Sequence, residues 1–216
     1  MTELKTIVEL YNDDNRRPEV MERAGEILKK GGLVAFPTET VYGLGGDALN
    51  PEASARIYAA KGRPSDNPLI VHIADMEALK VLASEVPEKA RLLADRFWPG
   101  PLTMIMPKSD AVPYATTGGL DTVAIRMPSH PTAYELIRSS GVYIAAPSAN
   151  TSGRPSPTTA QHVYEDLNGR IDMIIDSGKV DIGLESTIVD LTGEIPTILR
   201  PGYITKEMLE EAVGPV

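Results

Sequence analysis

Short apolar runs that read as buried strands alternate with amphipathic helix patterns along the whole chain. Several helix patterns open with Asn, Asp or Pro and end at Gly, which are typical helix boundaries. We predict strands at residues 6–10, 33–36, 69–73, 102–106, 122–125, 142–145, 173–175, 186–191 and 197–199. We predict helices at residues 18–30, 51–60, 87–98, 131–139 and 158–166, a short one after Asp75 and a closing one from Thr205. This alternation predicts an α/β protein with a mixed sheet and flanking helices.

The composition is that of an ordinary globular protein, with 42% hydrophobic and 24% charged residues in 216. Neither a linker nor an internal repeat interrupts the pattern, so we predict a single domain over residues 1–216. No apolar run reaches the roughly 20 residues of a membrane helix, and the first 17 residues lack the apolar block of a signal peptide. A cytoplasmic protein without a membrane partner is therefore expected.

Charge and cysteine content narrow the possible functions. The chain contains no cysteine, which excludes disulfides, thiolate nucleophiles and cysteine-based metal sites. Its net charge of −9 argues against strong non-specific binding to nucleic acid, because that binding depends on phosphate neutralisation by Lys and Arg. A local basic groove is still compatible with this total, so the positions of the basic residues matter more than their number.

The segment FPTETVYGLGG, residues 36–46, follows a predicted buried strand and reads as a glycine-rich loop. Glycine lets a backbone approach a ligand closely, and the hydroxyls of Thr38, Thr40 and Tyr42 could hold polar ligand atoms. Small molecules bind at such strand-to-loop transitions in open α/β sheets. A tight turn without function explains the segment equally well, because neither the P-loop pattern nor the dinucleotide-binding pattern is present.

Most of the notable basic residues fall at the ends of predicted elements or in Gly/Pro-rich loops: Lys61, Arg63, Arg126, Arg154 and Arg200. Such cations suit an anion of nucleotide size, and we expect Lys61 and Arg63 to lie at an exposed loop mouth. Simpler explanations stay open. Cations at a helix end complement its dipole, Arg126 could form a surface ion pair, and a lone strand histidine such as His72 is usually a hydrogen-bonded core residue.

Several sequence blocks, in this order, closely resemble the YrdC family. They are PTETVYGLG, the Lys61-x-Arg63 pair with NPL after it, WPGPLT, the Ser148-x-Asn150 pair, EST at Glu185–Thr187, and LRPG, and they span residues 31–202. The resemblance implies a twisted α/β sheet curled around a large, concave, positively charged cavity. It also implies L-threonylcarbamoyl-AMP synthase activity, in the family's single-domain form or in a truncated long form.

The resemblance also implies roles for individual residues of this sequence. Around L-threonine it places Thr40, His72, Arg126, Ser148 and Ser186. Around ATP it places Lys61, Arg63, Asn67, Thr122, Asn150, Thr158 and Arg200, of which Lys61 and Arg63 are the expected catalytic residues. We expect Arg126 to pair with the amino-acid carboxylate and the cations to offset the charge that develops as pyrophosphate leaves.

The substrates and partners implied are ATP, L-threonine and bicarbonate, with Mg²⁺ carried on the ATP phosphates and no protein ligand for it that we can name. The product would pass to the machinery that transfers threonylcarbamoyl to tRNA, and a weak direct contact with tRNA or double-stranded RNA is compatible with the basic clusters. Three alternatives remain: a double-stranded RNA or tRNA binding module, a carbamoyl-adenylate domain as in larger carbamoyltransferases, and an inactive family member.

Overall fold

The computed structural model describes residues 4–216, and its strands form one mixed sheet. From one edge to the other the order is β1-β8-β2-β3-β7-β4-β6-β5-β9-β10. The pairs β1–β8, β2–β8, β4–β6 and β5–β9 are parallel and the others are antiparallel. The strands are β1 (Ile7–Leu10), β2 (Val34–Pro37), β3 (Tyr42–Asp47), β4 (Ile70–His72), β5 (Leu102–Pro107), β6 (Thr122–Arg126), β7 (Ile144–Ala145), β8 (Met173–Asp176), β9 (Thr187–Asp190) and β10 (Thr197–Arg200). The predicted mixed α/β class is thus confirmed.

The helices begin and end where the sequence supplies boundary residues. The Asn50 side chain accepts a hydrogen bond from the backbone N–H of Glu52 (3.0 Å), and Gly62 ends the same helix in the left-handed conformation. Asp75 caps a 3₁₀ turn at Met76–Ala78 in the same way. The helices are α1 (Pro18–Lys29), α2 (Pro51–Lys61), α3 (Leu79–Leu82), α4 (Glu88–Phe97), α5 (Tyr114–Thr117), α6 (Pro131–Ser140), α7 (Ala160–Leu167) and α8 (Lys206–Val213).

The glycine-rich segment departs from the prediction, because most of it is a strand. Only residues 38–41 form a loop, and β3 then pairs antiparallel with β2 on one side and β7 on the other. Gly45 is required by close packing: a Cβ atom there would lie 2.7 Å from Ile144 Cγ2 and 2.9 Å from Phe36 Cε1. The short α5 is a second element that the sequence pattern did not predict.

The two faces of the sheet are covered differently, and this leaves room for a site. On one face α1 and α6 pack against β8, β2 and β7, with Leu28, Leu136 and Met173 in that cluster. On the other face a larger core runs the length of the sheet and includes Ile57, Leu93 and Leu209 of α2, α4 and α8. The first face is therefore covered by helices at its β8–β2 end. Over β4, β6, β5 and β9 the same face carries a cavity instead.

Candidate active site

The floor of this cavity is made of two rows of side chains that cross the sheet. Alternate residues of a strand point to one face, and the strand register pairs His72 with Arg126 and Arg126 with Thr103. The adjacent row pairs Ile70 with Ala124 and Ala124 with Ile105. One row is thus polar and the next apolar, and the cavity above them has a volume of about 430 Å³. Such a floor suits a small ligand with a charged end and an apolar part.

Arg126 is buried (4% exposed) at the end of β6 and is the charged residue of the polar row. Its Nη2 lies 2.7 Å from Glu39 Oε1 in a buried ion pair, and its Nη1 donates to Thr40 Oγ1 at 3.0 Å. The Nη2–Glu39 contact is not aligned as a hydrogen bond. Within residues 4–216, Arg126 Nε and Nη2 therefore have no hydrogen-bond acceptor. Buried guanidinium donors without acceptors favour an anionic ligand, and a carboxylate fits their planar fork.

The loop between β2 and β3 supports Arg126 through a chain of hydroxyls. Thr38 Oγ1 donates to the carbonyl of Val41 at 2.7 Å. With its hydrogen so engaged, Thr38 accepts from Thr40 Oγ1 at 2.9 Å, and Thr40 in turn accepts from Arg126. The two threonines are buried. The TET motif is therefore a rigid polar wall of the cavity rather than a solvent-exposed turn.

His72 lies beside Arg126 and is neutral in the folded protein. Its Nδ1 is 3.0 Å from the carbonyl of Ile70, which identifies Nδ1 as the protonated nitrogen and Nε2 as an acceptor. Burial, with the charge of Arg126 adding to it, lowers the pKa of His72 from 6.5 to about 3. The Phe36 ring packs edge-on against the imidazole at 6.1 Å between centroids. His72 is thus a buried, hydrogen-bonded histidine, as expected for a strand histidine, and it also lines the cavity.

The opposite wall comes from the start of β9 and the end of β10. Ser186 Oγ lies 2.8 Å from Thr103 Oγ1 and accepts from Arg200 Nη2 at 3.1 Å. Arg200 Nε donates to the carbonyl of Ser186 at 3.0 Å, and its Nη1 pairs with Glu185. Glu185 also accepts from Ser156 Oγ at 2.8 Å. Within the described chain, Glu185 is the one carboxylate that lines the cavity.

The third side of the cavity is formed by Arg63, Asn67 and Ser148. Arg63 Nη2 donates to the carbonyl of Pro68 at 3.3 Å, while its buried Nε has no acceptor within residues 4–216. Burial lowers the pKa of Arg63 and also that of Arg200, although guanidinium groups stay charged. Arg63, Arg126 and Arg200 therefore line one cavity as cations.

Lys61 does not occupy the exposed loop mouth that its position suggests. The residue is buried (3% exposed), and the cavity lining does not include it. Its Nζ donates to the carbonyl oxygens of Ser148 and Asn150, the latter at 2.5 Å. Burial, with repulsion from Arg63 added, lowers the pKa of Lys61 from 10.5 to about 8. The prediction that both basic residues of the pair are exposed is wrong for Lys61, and Arg63 is half-buried.

The other predicted ATP residues lie around this cavity rather than in its wall. Asn150 is buried and its Nδ2 donates to the carbonyls of Thr151 and Arg154, both at 2.9 Å. Thr122 lies on the cavity face of β6, two residues before Ala124. Thr158 lines a neighbouring cavity of about 440 Å³, together with Arg154, whose guanidinium pairs with Asp166. The expectation that Arg154 joins the other cations is therefore not met.

Sequence reasoning did not assign roles to several residues that build the site. Glu39 and Thr38 support Arg126, Thr103 bonds Ser186, and Glu185 pairs with Arg200. Each lies inside a motif already singled out: TET, WPGPLT or EST. Glu39 could have been found as the lone acid of its loop. The Thr103 pairing could not, because it depends on the register between β5 and β9.

Within the part of the chain that spans residues 4–216, no three His, Asp or Glu side chains gather as metal ligands. None of its helices combines the length and apolar character that crossing a bilayer requires.

Comparison with known proteins gives consistent matches. The Sua5/YciO/YrdC family model, described as "Telomere recombination", matches residues 26–202. The threonylcarbamoyl-AMP synthase of Pyrococcus abyssi is 58% identical over 193 residues, which are 89% of this chain and 57% of that protein. The threonylcarbamoyl-AMP synthase of Bacillus subtilis is 58% identical over 200 residues, which are 92% of this chain and 58% of that protein. The chain thus spans less than two thirds of the length of these relatives.

A crystal structure of P. abyssi Sua5 complexed with L-threonine has the same fold. It aligns with a TM-score of 0.95 at 55% identity and covers 98% of this chain and 61% of that one. The expected concave, twisted sheet is therefore shared with a solved structure.

Proposed function

The chain belongs to the Sua5/YciO/YrdC family, and from this membership we propose that it is an L-threonylcarbamoyl-AMP synthase. It would join L-threonine, bicarbonate and ATP and release pyrophosphate. One observation carries the proposal to this chain's own residues. The side chains expected around L-threonine, which are far apart in sequence, all line one cavity: Thr40, His72, Arg126, Ser148 and Ser186.

The polar row and the adjacent apolar row suit the two ends of threonine. We assign the carboxylate to Arg126, whose Nε and Nη2 lack acceptors within residues 4–216. His72 Nε2 offers an acceptor to the amine or hydroxyl, and Ser148 and Ser186 offer hydroxyls. The methyl group would then lie against Ile70 and Ala124 of the apolar row.

ATP would occupy the side of the cavity formed by Arg63, Asn67 and Arg200. Bicarbonate first converts the threonine amine to a carbamate with loss of water. A carbamate oxygen then attacks the α-phosphorus, and the bond from that phosphorus to the β-phosphate oxygen breaks. Arg63 and Arg200 would neutralise charge on the departing pyrophosphate. Mg²⁺ would arrive with ATP, held mainly by phosphate oxygens and water. Positioning and electrostatics would supply the rate.

Pyrophosphate release provides the test. We expect release only when ATP, L-threonine and bicarbonate are all present. L-Valine should be turned over poorly, because it leaves the buried hydroxyl partners unpaired. Arg63→Ala should lower kcat by about 10²-fold or more, the scale for losing one preorganised charge contact. Equal turnover of L-valine would contradict the threonine specificity, and release without bicarbonate would contradict the reaction.

The partners of the reaction follow from its product, a mixed anhydride that transfers its acyl group readily. We propose that a tRNA threonylcarbamoyl transferase consumes it and that the protein acts in the cytoplasm. Direct binding of tRNA or double-stranded RNA is the alternative function. Filter binding with and without ATP separates the two, because an RNA-binding module would retain RNA tightly without ATP and would release no pyrophosphate.

A further inference from the structure

The contacts of Lys61 engage its ammonium group fully, before any ligand binds. An ammonium group has three donors. Those of Lys61 meet the carbonyl of Ser148, the carbonyl of Asn150 at 2.5 Å and Asn150 Oδ1 at 3.5 Å. All three acceptors come from one loop. The main chain of Lys61 also contacts this loop, because its carbonyl accepts a hydrogen bond from Ser152 N–H at 2.8 Å.

This loop, residues 148–154, is held at each end by a different element. At its start, Ala149 N–H donates to the carbonyl of Tyr42 in β3 at 2.8 Å. Towards its end, Thr151 N–H donates to Asp166 of α7 at 2.9 Å, and Arg154 pairs with the same carboxylate. Between these anchors the backbone carbonyls turn inward to the end of α2. The buried ammonium is what satisfies them there.

We infer that Lys61 is a positioning residue, whose ammonium ties the 148–154 loop to α2 and thereby sets Ser148 at the cavity wall. Its acceptors are protein carbonyls, its side chain is 3% exposed, and the cavity lining contains Ser148 and Arg63 but not Lys61. The two basic residues of the Lys-x-Arg pair thus have separate tasks. Arg63 lines the cavity, where ATP is proposed to bind, and Lys61 holds the loop that forms the cavity wall. The link from Ser148 to threonine rests on the proposed function.

Hydrogen–deuterium exchange of the loop is the first test. Lys61→Met keeps the length of the side chain but removes its donors, and Arg63→Met is the matched control on the neighbouring cation. We expect faster exchange of the peptide covering residues 148–154 in Lys61→Met and unchanged exchange in Arg63→Met. Unchanged exchange in Lys61→Met would overturn the inference.

Calorimetry separates the two substrates. In Lys61→Met we expect L-threonine affinity to fall by about 10- to 100-fold, by analogy with the loss of a group that orients a metal-binding side chain, while ATP affinity without threonine stays near that of the parent chain. Arg63→Met should show the reverse. A loss of ATP affinity in Lys61→Met as large as that in Arg63→Met would show that Lys61 acts on the ATP phosphates, and it would overturn the inference.

Two further measurements cover the case in which Lys61→Met does not fold. Because the chain has no cysteine, Lys61→Cys can be aminoethylated selectively while unfolded, which restores an ammonium at nearly the original position. Refolding should then restore loop protection and threonine affinity. In the parent chain, the ¹⁵N signal of the Lys61 ammonium should not shift when ATP is added; a shift with phosphate binding would contradict the positioning role.

The exchange and ammonium measurements need no turnover. An absence of pyrophosphate release would therefore overturn the proposed function, while these two measurements would still decide the role of Lys61.

Discussion

At the scale of single residues, the site depends on a buried pair of opposite charges. Arg126 and Glu39 are 4% and 8% exposed in their side chains, and Ser129 N–H donates to the second Glu39 oxygen at 3.2 Å. Desolvating both charges is costly, and their mutual attraction offsets that cost only while both are present. Glu39 therefore stabilises Arg126 in its buried position at the floor of the cavity.

Replacing Glu39 should expose this dependence. Glu39→Gln leaves the buried guanidinium without its counter-charge and should lower the free energy of unfolding by about 3–5 kcal/mol. Urea denaturation measures the change. Glu77→Gln is the control, because Glu77 pairs with Lys80 on the surface with both side chains more than 70% exposed, and surface pairs contribute little. Equal midpoints for the two variants would show that the buried pair does not stabilise the fold.

Arg126 itself should not tolerate a change that keeps only its charge. Arg126→Lys loses the planar fork that suits a carboxylate, so we expect L-threonine binding to weaken by about 1.5–3 kcal/mol, the range for a hydrogen bond to a charged group. ATP binding measured without threonine should be unchanged. Calorimetry on both ligands decides the matter, and equal weakening of the two would place Arg126 in the phosphate site instead.

At the scale of elements, β3 shows what close packing demands. The strand carries three glycines in six residues, YGLGGD, a composition that disfavours strand formation. It forms because β2 and β7 pair with it on both sides and because Phe36 and Ile144 approach the positions that side chains would otherwise occupy. Backbone hydrogen bonding and burial override local propensity here.

Gly45→Ala should therefore be destabilising. The added methyl group would meet Ile144 Cγ2 at 2.7 Å and Phe36 Cε1 at 2.9 Å, and overpacking of this kind costs about 1–3 kcal/mol. Gly43→Ala is the control on the same face of the same strand, because its nearest neighbours lie at 3.4 and 3.5 Å. The urea midpoint of Gly45→Ala should fall well below that of Gly43→Ala, and the opposite order would refute the packing argument.

Elements with local signals were predictable from the sequence, and those set by distant contacts were not. The Asn50 cap, Pro51 and Gly62 define α2 within the chain itself. In contrast, β3 depends on neighbouring strands, and the burial of Lys61 depends on a loop 87 residues away. A lysine beside a terminal glycine ordinarily complements the helix dipole in solvent. The side chains expected around L-threonine were named from the family motifs, but the polar row of His72, Arg126 and Thr103 follows only from strand register.

At the scale of the whole molecule, His72 links the site to acid stability. Its pKa is about 3 in the folded protein and about 6.5 when the chain is unfolded. Below pH 6.5 the unfolded state binds the proton first, so this group lowers stability progressively between pH 6.5 and about 3. As the pH is lowered from 6.5 to about 3, the urea midpoint should therefore fall more steeply in the parent chain than in His72→Gln. Parallel pH dependences would mean that His72 does not titrate differently on unfolding.

The strands beneath the cavity belong to the site and to the core at once. Ile70, His72, Ala124 and Arg126 face the cavity, while Val71 and Ile125 between them are fully buried in the larger core. The floor can move no more than that close-packed interior allows. In the proposed reaction, accommodation of a bulky nucleotide and the exit of its products must then fall to the rim, where residues 64–67 are exposed. If the proposed function holds, the two floor residues expected to contact the amino acid, His72 and Arg126, belong to the rigid part of this protein, and its adaptability is confined to the border.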